Sequence, residues 1–184
     1  MRLNFTGMAC VLMAGLTACR PDDVKDDTGG GETGDTSETG DTSDTETDTD
    51  LQLSITDGTW LSEGDNVSYL LQQYNFNSIT ATFSTDGTYE VVAARSAGAP
   101  YTFTGTFTTD TSTYPATINI VQTSPTSDTV AGIYVIEDET MYYEVQSSTA
   151  TACTPPSVEG GIGSTSCPGE DYPENFNVQT YVLQ

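Results

Sequence analysis

From residue 51 onward the chain is patterned with a period of two. The plainest run is Tyr101-Thr102-Phe103-Thr104-Gly105-Thr106-Phe107-Thr108, where every second position is aromatic or glycine and the others are threonine. Successive side chains of a strand point to opposite faces, so this run predicts an antiparallel strand with one dry face and one wet face. Gly105, in the middle of the apolar face, predicts a bend or a close backbone approach of the kind a coiled barrel needs. Ile79, Ala81 and Phe83 alternate with Thr80, Thr82 and Ser84, and Asp86-Gly87 follows before Tyr89 and Val91. This predicts a hairpin, with Asp-Gly supplying the positive φ angles of a tight turn.

Further strands are predicted over 117–122, 130–136 and 141–146, the last two joined by the acidic turn Glu137-Asp138-Glu139. A first strand lies around Gly58-Thr59-Trp60 and a final one over 176–183, while only 67–74 suits a helix. The expected fold class is all-β, an antiparallel up-and-down meander of about seven or eight strands. Closing into a barrel removes the exposed edges of such a meander, and a two-sheet sandwich is the alternative.

The residues before 51 are patterned differently. Arg2 is followed by an uncharged, mostly apolar run ending at Leu16, too short to cross a bilayer, which needs roughly 20 apolar residues; it reads as a secretory signal peptide over 1–18. At Leu16-Thr17-Ala18-Cys19 the chain resembles the lipobox of bacterial lipoproteins: a branched apolar residue, two small ones and a cysteine. That resemblance implies cleavage before Cys19, a diacylglycerol on its sulfur and an acyl group such as palmitate on the freed amine, and hence a membrane as partner. Two or more acyl chains anchor stably where one is marginal. Arg20 after the cysteine, in place of Asp, implies the outer membrane, facing either the periplasm or the exterior.

Residues 19–50 are nearly all Asp, Glu, Thr, Ser and Gly, with Glu32-Thr33-Gly34-Asp35-Thr36-Ser37 repeated directly as 38–43. Such a segment has nothing with which to build a core and is expected to be a disordered, self-repelling spacer. Asp48-Thr49-Asp50 begins like a calcium loop, but Leu53 stands where that loop needs glycine, so no metal site is assigned.

Charge narrows the function further. Residues 20–50 hold 12 acids against two basic residues, and residues 51–184 hold 15 acids against Arg95 alone. Nucleic acid is excluded, because its binding depends on Lys and Arg neutralising phosphates. Histidine is absent, the body has no Lys, and neither metal-ligand spacing nor a phosphate loop is present; the expectation is a non-enzyme without cofactors. Cys153 and Cys167 form an even pair in an exported chain and are expected to be a disulfide that staples an insert over 148–174.

Gly58-x-Trp60, then Phe83-x-x-Asp86-Gly87-Thr88-Tyr89 across a hairpin, then Gly132-x-Tyr134-x-Ile136 leading to Met141-x-Tyr143, resembles the small lipocalin-like (calycin-type) domains of bacterial lipoproteins over residues 55–147. The resemblance implies a barrel whose mouth holds a small apolar or neutral ligand, with Trp60, Phe83, Tyr89, Phe103, Phe107 and Tyr143 as the candidate contacts. Ala81, Ala93 and Gly105 are small enough to leave room for it. The alternative is a barrel filled by its own side chains, acting as a structural or protein-interaction module for an envelope partner. Its contacts would be the insert and exposed tyrosines: one of Tyr142 and Tyr143, which must face opposite ways, with Tyr134 or Tyr114. Trp60 has a second role open to it, sealing one end of the barrel.

Overall fold

The computed structural model describes residues 52–184. The signal peptide, Cys19 and the acidic spacer lie outside the described residues. Eight antiparallel strands follow one another around a closed barrel: β1 Thr59–Glu63, β2 Phe76–Phe83, β3 Thr88–Arg95, β4 Tyr101–Asp110, β5 Ala116–Ser124, β6 Asp128–Glu137, β7 Thr140–Ser147 and β8 Gln179–Leu183, with β8 pairing back onto β1. The expected all-β meander and its closure are thus observed, and the sandwich is not.

The alternation read from the sequence is the alternation of the wall. In β4, Phe103 and Phe107 face inward and are buried, while Thr102, Thr106 and Thr108 are exposed. At Gly105 the register between β4 and β5 shifts, with Thr104 opposite Ser124 and Gly105 opposite Gln122. A Cβ at Gly105 would overlap the Val121 carbonyl oxygen and come within 2.9 Å of Gln122 Cα, so the bulge there requires glycine.

The β2–β3 turn departs from the expected tight Asp-Gly pair. Among its residues Gly87 alone has positive φ, at 83°, and the loop is closed by Ser84 N–H donating to Thr88 O at 2.8 Å and Gly87 N–H to Ser84 O at 2.9 Å. Asp86 instead uses its carboxylate, accepting from Thr88 N–H at 2.9 Å and Thr88 Oγ1–H at 2.6 Å, which holds its carboxyl below the ordinary range. A side chain that ties down its own backbone two residues on replaces the second positive φ.

Two helical turns shrink the expected helix. Residues 64–66 form a 3₁₀ turn and α1 covers only Tyr69–Gln72, with Leu70 and Leu71 buried. Asn75 then takes φ 62° and sends the chain into β2. Strand β8 likewise begins three residues later than the pattern implied, because Val178 N–H donates to Asn175 O in a turn at 2.9 Å.

One barrel end gathers the turns 84–87, 111–115 and 138–139 together with Trp60. The other gathers α1, the loops 96–100 and 125–127, and the chain between β7 and β8. The first end is sealed. Trp60 is fully buried and its Nε1–H donates to Ile55 O at 2.7 Å, so residues 52–58 close that end with Ile55 tucked beneath.

The insert lies on the outside of the wall. Its 153–167 loop is closed by the disulfide Cys153–Cys167, and Thr154 and Ser166 pair as an antiparallel bridge beside it. Glu144, an outward residue of β7, is 1% exposed and accepts N–H bonds from Gly163 at 2.7 Å and Thr165 at 2.9 Å. Gln146, two residues on, donates to the Ala150 and Cys153 carbonyls. This covering explains why Ile133 and Val135, at outward positions of β6, are buried as well.

Candidate functional site

The barrel interior is filled mainly from within. Phe83 packs against Phe107 with ring centroids 5.0 Å apart and against Tyr89 and Tyr143 at 6.3 Å each, and Tyr143 meets Tyr181 edge-on at 6.0 Å. Each such pair adds about 0.5–1.5 kcal/mol beyond its buried area. Ala81 and Ala93, small enough to permit space, are 1% and 0% exposed and belong to the packed core.

What remains is a cavity of about 70 Å³ towards the α1 end, with Leu71 and Ser68 among the residues that border it. Of the candidate contacts, Phe83, Tyr89, Phe103 and Tyr143 line it; Trp60 and Phe107 are buried in the core and do not. Tyr181, Gln122, Asn177 and Gln179 also line it and were not singled out by the sequence pattern. For Tyr181 the signal was present, since it alternates with Leu183 in the last strand.

The polar atoms at this cavity are largely occupied. Gln179 accepts from Ser68 N–H at 2.9 Å and donates through Nε2 to Ser62 Oγ; Gln122 Nε2 donates to Thr126 O at 2.8 Å. Burial pushes the Tyr143 and Tyr181 phenols up, Tyr143 further through the neighbouring tyrosines, and raises Tyr89 to about 12 with help from the charge of Asp128. Near neutral pH these are uncharged hydroxyls, suited to hydrogen bonding and not to proton abstraction.

Arg95 closes another part of that end. Its guanidinium lies 4.3 Å from the Tyr101 ring centroid and 5.4 Å from that of Phe76, and it donates to Tyr101 Oη. The one cation of the body is therefore held by aromatic faces. Among the described residues no group of three His, Cys, Asp or Glu is arranged to hold a metal ion.

A larger concavity lies outside the barrel. A groove of about 660 Å³ runs over the outer faces of β6, β7 and β8, between the insert on one side and the 65–72 segment on the other. Tyr142, Tyr69 and Tyr114 line it together with Ile162, Asp65 and Glu137. Tyr114 is 71% exposed and donates through its hydroxyl to Glu137 Oε1 at 3.1 Å. Of the tyrosines considered as outer contacts, Tyr142 and Tyr114 are here, whereas Tyr134 faces inward and is buried, because its strand partner Tyr143 does the same.

The molecule these features define is an eight-stranded up-and-down barrel with a packed interior and a grooved outer wall. Comparison with protein-family models, curated proteins and solved structures finds no match for this chain.

Proposed function

We propose that the chain is a lipid-anchored protein of the cell envelope, held at the outer membrane through Cys19, and that its barrel is a non-catalytic interaction module working through its outer surface. The anchor rests on Leu16-Thr17-Ala18-Cys19 and the acidic spacer behind it. The observation that carries the rest is the contrast of volumes. The interior leaves about 70 Å³, where pockets for small organic ligands span roughly 300–1,000 Å³, whereas the tyrosine-lined concavity lies on the outer wall. A second reading, a small apolar ligand in the barrel mouth, draws on the four aromatic candidates around the inner cavity and requires that cavity to widen about fourfold.

Mass spectrometry separates these readings. The protein extracted from an exporting host is expected to start at Cys19 with a diacylglyceryl and an acyl group attached. The detergent-free Cys19→Ser variant is expected to fly without a non-covalent adduct. An unmodified Cys19 would remove the anchor, and a reproducible adduct of roughly 300 daltons or more, lost on denaturation, would restore the mouth ligand.

A further inference from the structure

We infer that the outer groove is a docking site for an extended, Lys/Arg-bearing segment of a partner protein. The inference rests on the module reading and names its partner. The groove offers two kinds of contact. Its aromatic surface comes from Tyr69, Tyr114 and Tyr142, of which Tyr69 and Tyr114 are 40% and 71% exposed even with Tyr69 edge-on to Tyr172 and the Tyr114 hydroxyl bonded to Glu137. Its charge comes from Asp65 and Glu137, and no Lys or Arg lines it. Tyrosine faces and carboxylates side by side suit a guanidinium or ammonium group, the first through its quadrupole and the second through its charge.

Charge complementarity selects among occupants. The body carries 15 acids against one Arg, and that Arg is committed to Phe76 and Tyr101 and does not line the groove. A field of that sign draws in cations and repels anions. The chain's own 20–50 segment, with 12 acids and two basic residues, is repelled, and so is a second copy of the body. A neutral glycan would find the tyrosines and gain nothing from the field. An extended peptide suits the shape: the groove is bounded by Ile162 of the insert and the 65–72 segment, with a floor of Val135, Tyr142 and Thr180.

The test is a bead library of random twelve-residue peptides screened with the full mature chain carrying Cys19→Ser. Enriched peptides are expected to be rich in Lys and Arg. Their binding is expected to weaken about tenfold or more in a Tyr69→Ala/Tyr114→Ala variant, since exposed aromatic anchors dominate such contacts. A Glu90→Gln/Asp110→Asn variant, which removes the same charge as Asp65→Asn/Glu137→Gln but from sites outside the groove, is expected to retain binding where the latter loses it. All these side chains are exposed, so the fold is kept and circular dichroism verifies it. Enriched peptides without Lys or Arg that still depend on Tyr69 and Tyr114 would overturn the cationic partner and leave the module reading standing. Basic peptides that bind regardless of the groove substitutions would assign the attraction to the general field and overturn the site. No enrichment at all would remove the docking site and the module reading with it.

Discussion

Replacing Glu144 with Gln tests whether the insert is held to the barrel by one buried carboxylate. Glu144 is 1% exposed and spends its two oxygens on the backbone N–H groups of Gly163 and Thr165, at 2.7 and 2.9 Å. Glutamine has nearly the same shape but one acceptor oxygen, so one of the two N–H groups would face an amide NH₂. A hydrogen bond to a charged group contributes about 1.5–3 kcal/mol, and the easier desolvation of an amide offsets part of that loss. A net cost of about 2 kcal/mol follows, equivalent to a roughly 30-fold rise in the opening constant of the insert.

Because the insert sits outside the strand ladder, the cost should fall on local opening before global unfolding. Hydrogen exchange read by mass spectrometry is the assay. Peptides covering 149–167 should exchange about 30-fold faster in Glu144→Gln, while those from β2 to β5 keep their protection. Insert protection within about threefold of the parent would mean that packing, not this carboxylate, fixes the insert, and would refute the reasoning.

Gly105→Ala should cost about 2–3 kcal/mol in urea unfolding, since the new Cβ meets the Val121 carbonyl, whereas Thr106→Ala on the wet face should stay within about 0.5 kcal/mol. Stability should be level up to about pH 9 and fall above pH 10: the phenols of Tyr89, Tyr143 and Tyr181 are raised above their unfolded value of 10.0, so what they contribute is complete below that value and lost as pH passes through the folded one. Urea midpoints from pH 8 to about 11 measure this, and Tyr143→Phe should shrink the alkaline loss. Cys153→Ser/Cys167→Ser opens a ring whose ends are 14 residues apart, worth about 3 kcal/mol to the insert; limited proteolysis should then cut within 148–174 while the far-ultraviolet dichroism of the barrel persists.

The barrel was legible because each strand with one wet face advertises itself, as Tyr101 to Thr108 does with its threonines and aromatics. The groove was only half legible. Ile133-Tyr134-Val135-Ile136 is an unbroken apolar run, which signals a strand covered on both faces, and the insert is what covers it. Glu144 carried no such signal: a carboxylate at the alternate position of a half-buried strand reads as solvent-facing, and only the fold of the insert back across β7 buries it. The filling of the interior was also out of reach. Ala81 and Ala93 announce space, but whether Phe83, Tyr143 and Tyr181 reach into it depends on barrel radius and rotamers, which no pattern along one strand encodes.

The way the first strand is seated decides how the body would answer a mechanical load. A pull applied at Gln52 meets Ile55 first, held beneath the sealed end with Trp60 bonded to its carbonyl, and only then reaches Thr59. Strand β1 is flanked on both sides, by β2 from Thr59–Thr82 to Glu63–Ser78 and by β8 at Trp60 and Leu61, and Gln184 N–H donates to Thr59 O at 3.0 Å. Tension drawn along that strand and resisted by the far wall loads these bonds in shear, many together, instead of unzipping them singly. Ile55, buried and joined to Trp60, is the first contact such a pull would load, ahead of the ladder between β1 and its two neighbours.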